Sequence, residues 1–213
     1  GIKVLFLYPN TYGMNMLPPA IATFSAILKK EGHKIEVFDT TYYSTDHGNN
    51  SDGTKEEGLN VVPFSKEMVK RGLVPKKTKW QDDIKEQVNK FKPDLIALST
   101  TEDMWELGVK LLGEIKKYIQ QNKTPVIAGG VFPTMAPDLC IENEFIDLVC
   151  VGEGENALID LCKKIELGED YSNVTNLWVK KKGKEIKKNS ITRPVDINKN
   201  PIIDTTIFED KRL

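Results

Sequence analysis

The stretch PVIAGGVFPTMAPDLCIENEFIDLVCVGEGE, residues 125–155, decides the fold. Residues 126–128 and 147–151 are two short apolar runs, and each ends at a glycine turn, GG at 129–130 and GEGE at 152–155. Short apolar runs bounded by glycine are typical of buried strands. With one helix between them and another after them, these strands favour a parallel α/β sheet. In such sheets ligands bind outside the carboxyl ends of the strands, where both glycine turns fall.

Three further apolar runs complete the predicted sheet: IKVLFLY at 2–8, IEVF at 35–38 and LIAL at 95–98. Apolar residues at helical spacing predict helices that connect the strands, the last of them at residues 156–167. The first run is almost continuously apolar, so we expect it to be a central strand. Right-handed crossovers then predict a Rossmann-like or flavodoxin-like α/β fold, with five parallel strands in the order 2-1-3-4-5 and helices on both faces.

The chain divides into two predicted parts. Residues 1–168 are the α/β domain, and residues 41–79 within it, rich in polar residues and glycine, are an insertion or mobile loop. Residues 169–213 begin with a β-hairpin whose lysine-rich turn suits an exposed edge, and they continue as an extended tail with two prolines and little periodicity. We interpret the tail as a linker toward a domain that this chain does not contain.

Composition excludes several classes of function. The 213 residues carry a net charge of −1, which gives no positive field for binding nucleic acid. No apolar run reaches the roughly 20 residues that a membrane-spanning helix needs, and the first residues lack the features of a signal peptide. The cysteines, Cys140, Cys150 and Cys162, have no metal-ligand spacing and are expected to be buried or free thiols in a reducing compartment. These features predict a cytoplasmic protein.

No catalytic constellation is visible in the sequence, and neither catalytic residues nor metal ligands are predicted. The motifs G-x-S-x-G, G-x-x-x-x-G-K-[ST] and H-E-x-x-H are absent, and no G-x-G-x-x-G follows the first strand. His33 lies between a helix and the second strand and is interpreted as a turn residue. His47 lies in the polar insertion and is interpreted as solvent-exposed rather than as a ligand.

Polar and glycine turns follow four of the predicted strands, at residues 10–11, 99–101, 129–130 and 152–154. Hydroxyls, free backbone N–H groups and positions without a Cβ would meet at one edge, which suits a large, flat or phosphate-bearing ligand. The alternative is structural: the glycines make tight turns, Ser99–Thr101 caps the next helix, and the acids at 152–155 favour a helix start.

Taken together, these residues resemble the cobalamin (vitamin B12)-binding domain at the N-terminus of cobalamin-dependent radical S-adenosylmethionine proteins. Four stretches carry the resemblance: LFLYPN with LPPAIATFSAILKKEGHKIEVFD, PDLIALSTTEDMW, PVIAGGVFPTMAPD and DLVCVGEGENAL. The last two are similar to the family patterns GG-x-x-P-T and D-x-V-x-G-E-G-E. The segments NLWVKKKGKEI and PIIDTTIF are similar to the hairpin and linker that lead into the family's radical domain.

The resemblance implies that cobalamin lies at the carboxyl edge, with the corrin over the loops and the nucleotide tail in a groove beside the glycine turn. It implies corrin contacts from Asn10, Thr11 and Leu17, tail contacts from Ser99 and Thr100, and a groove lined by Gly129, Gly130 and Val131. Glu153 would lie at the rim, near the partner domain. Thr101, Phe132 and Gly154 complete the predicted cofactor-binding set.

Two departures from the family pattern modify these expectations. Other cobalamin domains carry D-x-H-x-x-G after the first strand, with a histidine that ligates cobalt, whereas this loop reads NTYGMN. The DHG at residues 46–48 follows the second strand and lacks the spacing, so we predict base-off, His-off binding. The C-x-x-x-C-x-x-C motif is also absent. A 4Fe-4S cluster and S-adenosylmethionine are therefore expected only in the missing radical domain, and this fragment alone is not expected to be catalytic.

The parent protein is expected to be a radical S-adenosylmethionine enzyme, either a methyltransferase or a catalyst of other radical chemistry. Two alternatives remain open. A docking or scaffold domain of the same family could have lost cobalamin, and large side chains filling the carboxyl edge would favour that function. A flavodoxin-like domain could bind a flavin or nucleotide, but the first turn, PNTYGMN, lacks a hydroxyl- and glycine-rich phosphate loop.

Overall fold

A computed structural model of the chain describes residues 1–11, 14, 16–45, 70, 74–181 and 185–212. The strands are β1 (Lys3–Tyr8), β2 (Lys34–Asp39), β3 (Leu95–Ser99), β4 (Val126–Gly129), β5 (Leu148–Cys150), β6 (Leu177–Lys180) and β7 (Ile186–Lys188). The helices are α1 (Pro19–Lys30), α2 (Trp80–Phe91), α3 (Trp105–Glu114), α4 (Lys116–Asn122), α5 (Val131–Met135), α6 (Pro137–Glu142) and α7 (Glu155–Leu167), with 3-10 turns at Ile197–Lys199 and Asp210–Arg212.

The described strands form one sheet in the order β2-β1-β3-β4-β5-β6-β7. Strands β1 to β5 are parallel to their neighbours, so the predicted α/β fold with the strand order 2-1-3-4-5 is confirmed. Strand β1 lies inside the sheet between β2 and β3, second from the edge rather than at the centre, and four of its six residues are buried. All five parallel strands end at the same edge, which is called the carboxyl edge below.

The C-terminal hairpin differs from the prediction, because it belongs to the sheet. Strand β6 pairs antiparallel with β5, with Leu148 opposite Val179 and Cys150 opposite Leu177. The reason lies in the run Leu177-Trp178-Val179, which is apolar on both faces of the strand. Leu177 and Val179 are buried on one face, and Trp178 packs against the core of the other. A strand of this kind gains more from pairing with the sheet than from standing apart at an exposed edge.

Two smaller expectations have different outcomes. The connection between β3 and β4, expected to be one helix, consists of two helices, α3 and α4, which meet at Ile115. The predicted insertion at 41–79 lies largely outside the described residues, as does His47. No helix among the described residues is long and apolar enough to cross a membrane.

The sheet separates two hydrophobic cores. On one face, called the packed face, α2, α3 and α6 cover the strands with residues such as Ile84, Leu111 and Ile141. On the other face, called the cavity face, α1 and α7 contribute residues such as Ile21 and Leu161. The tail, residues 191–212, also reaches this second face, where Phe208 is buried.

Candidate functional site

A cavity of about 390 Å³ opens at the carboxyl edge, on the cavity face of the sheet. Its floor comes from the ends of β1, β3, β4 and β5, and its walls from the first turns of α1, α5 and α7. The lining residues are Phe6, Ala20, Phe24, Ala97, Leu98, Ser99, Ile127, Gly129, Gly130, Val131, Thr134, Cys150, Gly152, Glu153, Gly154, Glu155 and Leu158. The cavity lies where ligands bind in open parallel sheets, and its size is that of a small-molecule site, roughly 300–1,000 Å³.

Half of the predicted cofactor-binding residues line this cavity. These are the residues at the ends of β3 and β4 and in the turn after β5: Ser99, Gly129, Gly130, Val131, Glu153 and Gly154. The structure therefore brings together three turns that are separated by up to 55 residues in the sequence. Whether these residues contact a cofactor stays a prediction.

The predicted residues of the loop between β1 and α1 lie beside the cavity rather than in its lining. Asn10 is 5% exposed, and its side-chain amide donates to the Met14 carbonyl and to the Thr41 hydroxyl, at 2.7 and 2.8 Å. Thr11 is also buried, and its hydroxyl has no hydrogen-bond partner among the described residues. Leu17 packs against the core of the cavity face. Asn10 thus fixes the shape of this loop, which leads directly into the cavity wall at Ala20.

Three other predicted residues also lie outside the lining. The Thr100 side chain is buried and donates to the Thr101 carbonyl at 2.8 Å, and Thr101 itself is exposed. Phe132 points to the packed face, where its ring lies 5.5 Å from that of Trp105. The residues after β3 are therefore divided, because Ser99 lines the cavity whereas Thr101 does not.

Gly130 is required by the backbone at the cavity mouth. Its φ of 107° and ψ of −166° fall in a region that is essentially restricted to glycine. A Cβ there would also lie 2.8 Å from the Thr100 carbonyl oxygen. The ends of β3 and β4 therefore approach each other more closely than any side chain at residue 130 would allow.

A hydrogen bond joins the glycine turn after β5 to α5, the helix that follows the glycine pair at 129–130. The backbone N–H of Gly152 donates to the Thr134 hydroxyl at 3.2 Å. Gly152 has a φ of 87°, which directs its backbone into this turn. Thr134 lines the cavity but was not among the predicted site residues. Its signal was present, because it is the threonine of the GG-x-x-P-T pattern.

The prediction also missed the apolar wall of the cavity. Phe6 and Phe24 stack with their ring centroids 6.2 Å apart, and Ala97, Ile127 and Leu158 complete the apolar surface. These residues occur in ordinary strand and helix patterns, so the sequence does not distinguish them from core residues.

Electrostatically, the floor of the cavity is neutral. Burial, with a smaller contribution from Glu155, raises the pKa of the Cys150 thiol to about 12. The thiol therefore stays protonated at neutral pH, and it donates weakly to the Glu153 carbonyl at a distance of 3.7 Å. The Glu153 carboxylate turns away to accept a hydrogen bond from the backbone N–H of Val195 in the tail. An uncharged floor favours an apolar or aromatic ligand group.

Neither histidine is observed at this cavity. His33 is buried at the opposite, amino edge, where its Nδ1 accepts a hydrogen bond from the Ile2 backbone N–H at 3.1 Å, and His47 lies outside the described residues. The cysteines are free and buried, as predicted. Among the described residues, no group of three His, Cys, Asp or Glu side chains could hold a metal ion.

Comparison with protein families gives a match over the middle of the chain. The family model of the B12 binding domain matches residues 58–161, slightly less than half of the chain. This match confirms the type of domain that the sequence motifs predicted, and cobalamin is the cofactor for which that domain type is named. It spans the glycine turns at 129–130 and 152–154 and most of α7. No curated protein sequence matches the chain significantly.

Comparison with solved structures gives the same fold. The structure of OxsB, a cobalamin-dependent S-adenosylmethionine radical enzyme with aqua-cobalamin bound, matches with a TM-score of 0.69 at 21% identity, covering 97% of this chain and 24% of OxsB. The radical S-adenosylmethionine methyltransferase TsrM from Kitasatospora setae, with cobalamin and a [4Fe-4S] cluster bound, matches with a TM-score of 0.62 at 19% identity, covering 97% of this chain and 32% of TsrM.

A second TsrM structure, with tryptophan substrate and the S-adenosylmethionine analogue aza-SAM bound, has a TM-score of 0.64 at 18% identity, covering 89% of this chain and 30% of TsrM. At these identities the likeness shows the fold. The chain spans between about a quarter and a third of the length of these enzymes.

Proposed function

Because residues 58–161 match the B12 binding domain, we propose that this chain binds cobalamin at the carboxyl edge of its sheet, in the base-off, His-off form. The observation that carries the proposal is the apolar cavity of about 390 Å³ beneath the glycine turns. In base-off cobalamin the nucleotide tail is released from cobalt, and its aromatic dimethylbenzimidazole base needs an apolar site. The cavity offers such a site between Phe6, Ala97, Ile127 and Leu158.

The corrin ring is much larger than the cavity, so it would lie outside, over the carboxyl edge. The surface around the mouth suits this position because it exposes apolar side chains. Val131 is 69% exposed, and Met14 and Met16 in the loop between β1 and α1 are 53% and 85% exposed. Exposed apolar residues gathered at one edge favour binding of a flat apolar face.

The absence of a histidine in the loop NTYGMN supports the His-off form. His33 lies at the opposite edge of the sheet and is already engaged by the Ile2 backbone. When bound, cobalamin supplies cobalt-centred group transfer or radical chemistry. The residues of this chain provide a cavity with an apolar floor and the loops that hold the cofactor.

The activity of the larger protein is part of the same proposal. We infer that this chain is the cobalamin module of a radical S-adenosylmethionine enzyme, whose iron–sulfur cluster and S-adenosylmethionine are bound by a partner domain. Methyl transfer is one reaction of this type, as the name of TsrM illustrates. The free cysteines suit the predicted cytoplasmic location, because a reducing compartment keeps thiols unpaired.

The two alternative functions are less well supported. A scaffold domain that had lost cobalamin would be expected to fill the carboxyl edge with large side chains, but Ala97, Gly129 and Gly154 leave it open. A flavin- or nucleotide-binding domain would need a phosphate loop after β1, where the sequence reads PNTYGMN.

The experiment compares two ligands, hydroxocobalamin and cobinamide, which has the same corrin but no nucleotide tail. Wild-type protein should bind hydroxocobalamin more tightly than cobinamide, by about tenfold to a hundredfold, as expected for burying one aromatic ring. Ala97→Leu fills the cavity and should remove this advantage while leaving cobinamide affinity intact. Equal affinity of the wild type for both ligands would contradict the proposal that the nucleotide tail of cobalamin lies in the cavity. Gly130 is less suitable for this test, because any side chain there strains the backbone.

A further inference from the structure

The tail is attached to the domain at the rim of the cavity. The Glu153 carboxylate accepts a hydrogen bond from the Val195 backbone N–H. Nearby, the Asn176 side-chain oxygen accepts one from the Thr192 backbone N–H at 2.7 Å. Asn176 is itself held, because its amide group donates to the Glu153 carbonyl at 2.8 Å. The start of the tail is therefore fixed to the turn between β5 and α7.

The tail then crosses α1, which forms one wall of the cavity. The Asp204 carboxylate accepts hydrogen bonds from the Ser25 hydroxyl at 2.6 Å and from the Lys29 ammonium at 2.5 Å. The Asp204 backbone N–H donates to the Ala22 carbonyl at 3.0 Å. Phe208 is 5% exposed and packs into the core of the cavity face. These contacts bind the middle of the tail along the outer side of the wall helix.

The tail reaches the loop between β1 and α1 through Arg212. The Arg212 side chain is 1% exposed, and its Nε lies 2.9 Å from Oδ2 of Asp39, at the end of β2. Its two terminal nitrogens donate to backbone carbonyls of the loop, at 3.0 Å to Met16 and 3.4 Å to Met14. A buried guanidinium is stable only when its charge and its donors have partners, and here the loop supplies two of them.

We propose that Arg212 is a positioning residue for cobalamin, which fixes the loop carrying Met14 and Met16 where the corrin binds. The inference rests on the proposed function, since it assigns this loop to the corrin. Among the described residues, the Met14 carbonyl accepts hydrogen bonds from two side chains, that of Asn10 within the loop and that of Arg212 in the C-terminal tail. The planar fork of arginine can serve Asp39 and two carbonyls at once, whereas a lysine ammonium is a single point of contact.

The proposal predicts a specific pattern of affinities. Loss of the Arg212 contacts should weaken the corrin interaction, which hydroxocobalamin and cobinamide share. Both ligands should therefore lose affinity by the same factor, about tenfold, as expected for charge-assisted hydrogen bonds. The ratio of the two affinities should stay at its wild-type value, because the cavity proposed for the nucleotide tail of cobalamin is unchanged. Ala97→Leu should show the opposite pattern, with a changed ratio and an unchanged cobinamide affinity.

The experiment uses the chain with Arg212→Gln, Arg212→Lys and a control, Asp147→Asn. Asp147 is half-buried at the amino edge and accepts a hydrogen bond from the Val126 N–H at 2.9 Å, so its substitution lowers stability far from the cavity. We expect Arg212→Gln to lose affinity for both ligands by the same factor and Arg212→Lys to recover part of that affinity. Asp147→Asn should bind both ligands as the wild type does. Wild-type affinities in Arg212→Gln, or an equal loss in Asp147→Asn, would overturn the proposal.

A second readout needs no ligand. Hydrogen exchange of a peptide containing Met14 and Met16 should be faster in Arg212→Gln than in wild type and in Asp147→Asn. Unchanged exchange would overturn the role of Arg212 in fixing the loop. If wild-type protein binds neither corrin, the proposed function fails by itself, and the exchange measurement still decides whether Arg212 holds the loop.

Discussion

Ala97 and Ala128 lie near the carboxyl ends of neighbouring strands, and they face opposite sides of the sheet. Ala97 pairs with Ile127 on the cavity face, whereas Ala128 pairs with Leu98 on the packed face. Both are small residues in buried strands, and the sequence treats them alike. Their surroundings differ: Ala97 borders a cavity of about 390 Å³, and Ala128 is fully buried in a continuous core.

The difference comes from how the helices approach the strands. On the packed face, α3 comes so close that a Cβ on Gly108 would lie 2.8 Å from the Leu98 side chain. On the cavity face, Phe24 of α1 packs over Gly154 at the start of α7, where a Cβ would lie 2.9 Å from its ring. The two helices thus meet each other above the strand ends and enclose a space below. A small residue makes a cavity only where the covering helices do not fill it.

The largest expected effect is on stability. Ala128→Leu adds three carbon atoms to a filled core and should lower the free energy of unfolding by about 1–3 kcal/mol. Ala97→Leu adds the same atoms next to an existing cavity and should change it by about 1 kcal/mol or less. Denaturant unfolding of both variants measures the difference. Equal losses would mean that the two faces are packed alike.

A second pair of variants tests which strand-end residues belong to the site. Ser99 lines the cavity and Thr101, two residues later, is exposed outside it. Ser99→Leu should weaken binding of hydroxocobalamin by about tenfold, because the new side chain would occupy the space proposed for the nucleotide tail of cobalamin. Thr101→Leu should bind as wild type does. A reversed order would show that the ligand lies over Thr101 and not in the cavity.

A smaller effect is expected on the rates at which an alkylating reagent modifies the cysteines. Cys150 lines the cavity, whereas Cys140 and Cys162 are fully buried in the cores. Burial raises the pKa of each thiol to about 12, so all should react slowly at neutral pH. A small uncharged alkylating reagent should modify Cys150 first, and hydroxocobalamin should slow that modification. Mass spectrometry of the modified peptides measures both. Faster labelling of Cys140 would contradict the difference between the faces.

The smallest expected effects are on the pH dependence of stability, through His33 and through Asp204, which attaches the C-terminal tail to α1. Burial lowers the pKa of His33, so the folded state takes up its proton less readily than the unfolded state, and stability falls as pH drops below about 6.5. Burial alone would raise the pKa of Asp204, but hydrogen bonds from Lys29, Ser25 and Thr206 lower it overall. Its contribution is present above about pH 4 and is lost in stronger acid.

Thermal unfolding of wild type, His33→Gln and Asp204→Asn across this pH range separates the two contributions. The fall in Tm between pH 7 and 5 should be smaller in His33→Gln than in the wild type, and the fall in Tm below about pH 4 should be smaller in Asp204→Asn. A wild-type Tm that rises on acidification from neutral pH to about pH 5 would contradict the assignment of His33.

Much of the fold followed from the sequence, because apolar runs and glycine turns report local structure. The order of five parallel strands and the edge at which Ser99, Gly129 and Gly154 meet were predicted correctly. The hairpin was predicted as an appendage, whereas it extends the sheet: β7 lies at the edge, as its lysines suggested, and Trp178 between two buried residues belongs to a strand covered on both faces.

The cavity and the tail contacts could not be predicted in the same way. Ala97 and Leu158 have the patterns of core residues, and they border a cavity because Phe24 of α1 packs against Gly154 at the start of α7 above them. Asp204 and Arg212 lie in a segment without periodicity, and their partners Ser25 and Met16 are 179 and 196 residues away. Such contacts depend on tertiary structure, and no local pattern encodes them.

The central claim is that the apolar cavity takes the nucleotide tail of cobalamin. The most direct measurement is the visible absorption spectrum of hydroxocobalamin bound to the wild-type chain at equilibrium. We expect binding with a base-off spectrum, since a nucleotide tail in the cavity cannot also ligate cobalt. A bound corrin with a base-on spectrum, or no binding at all, would contradict it.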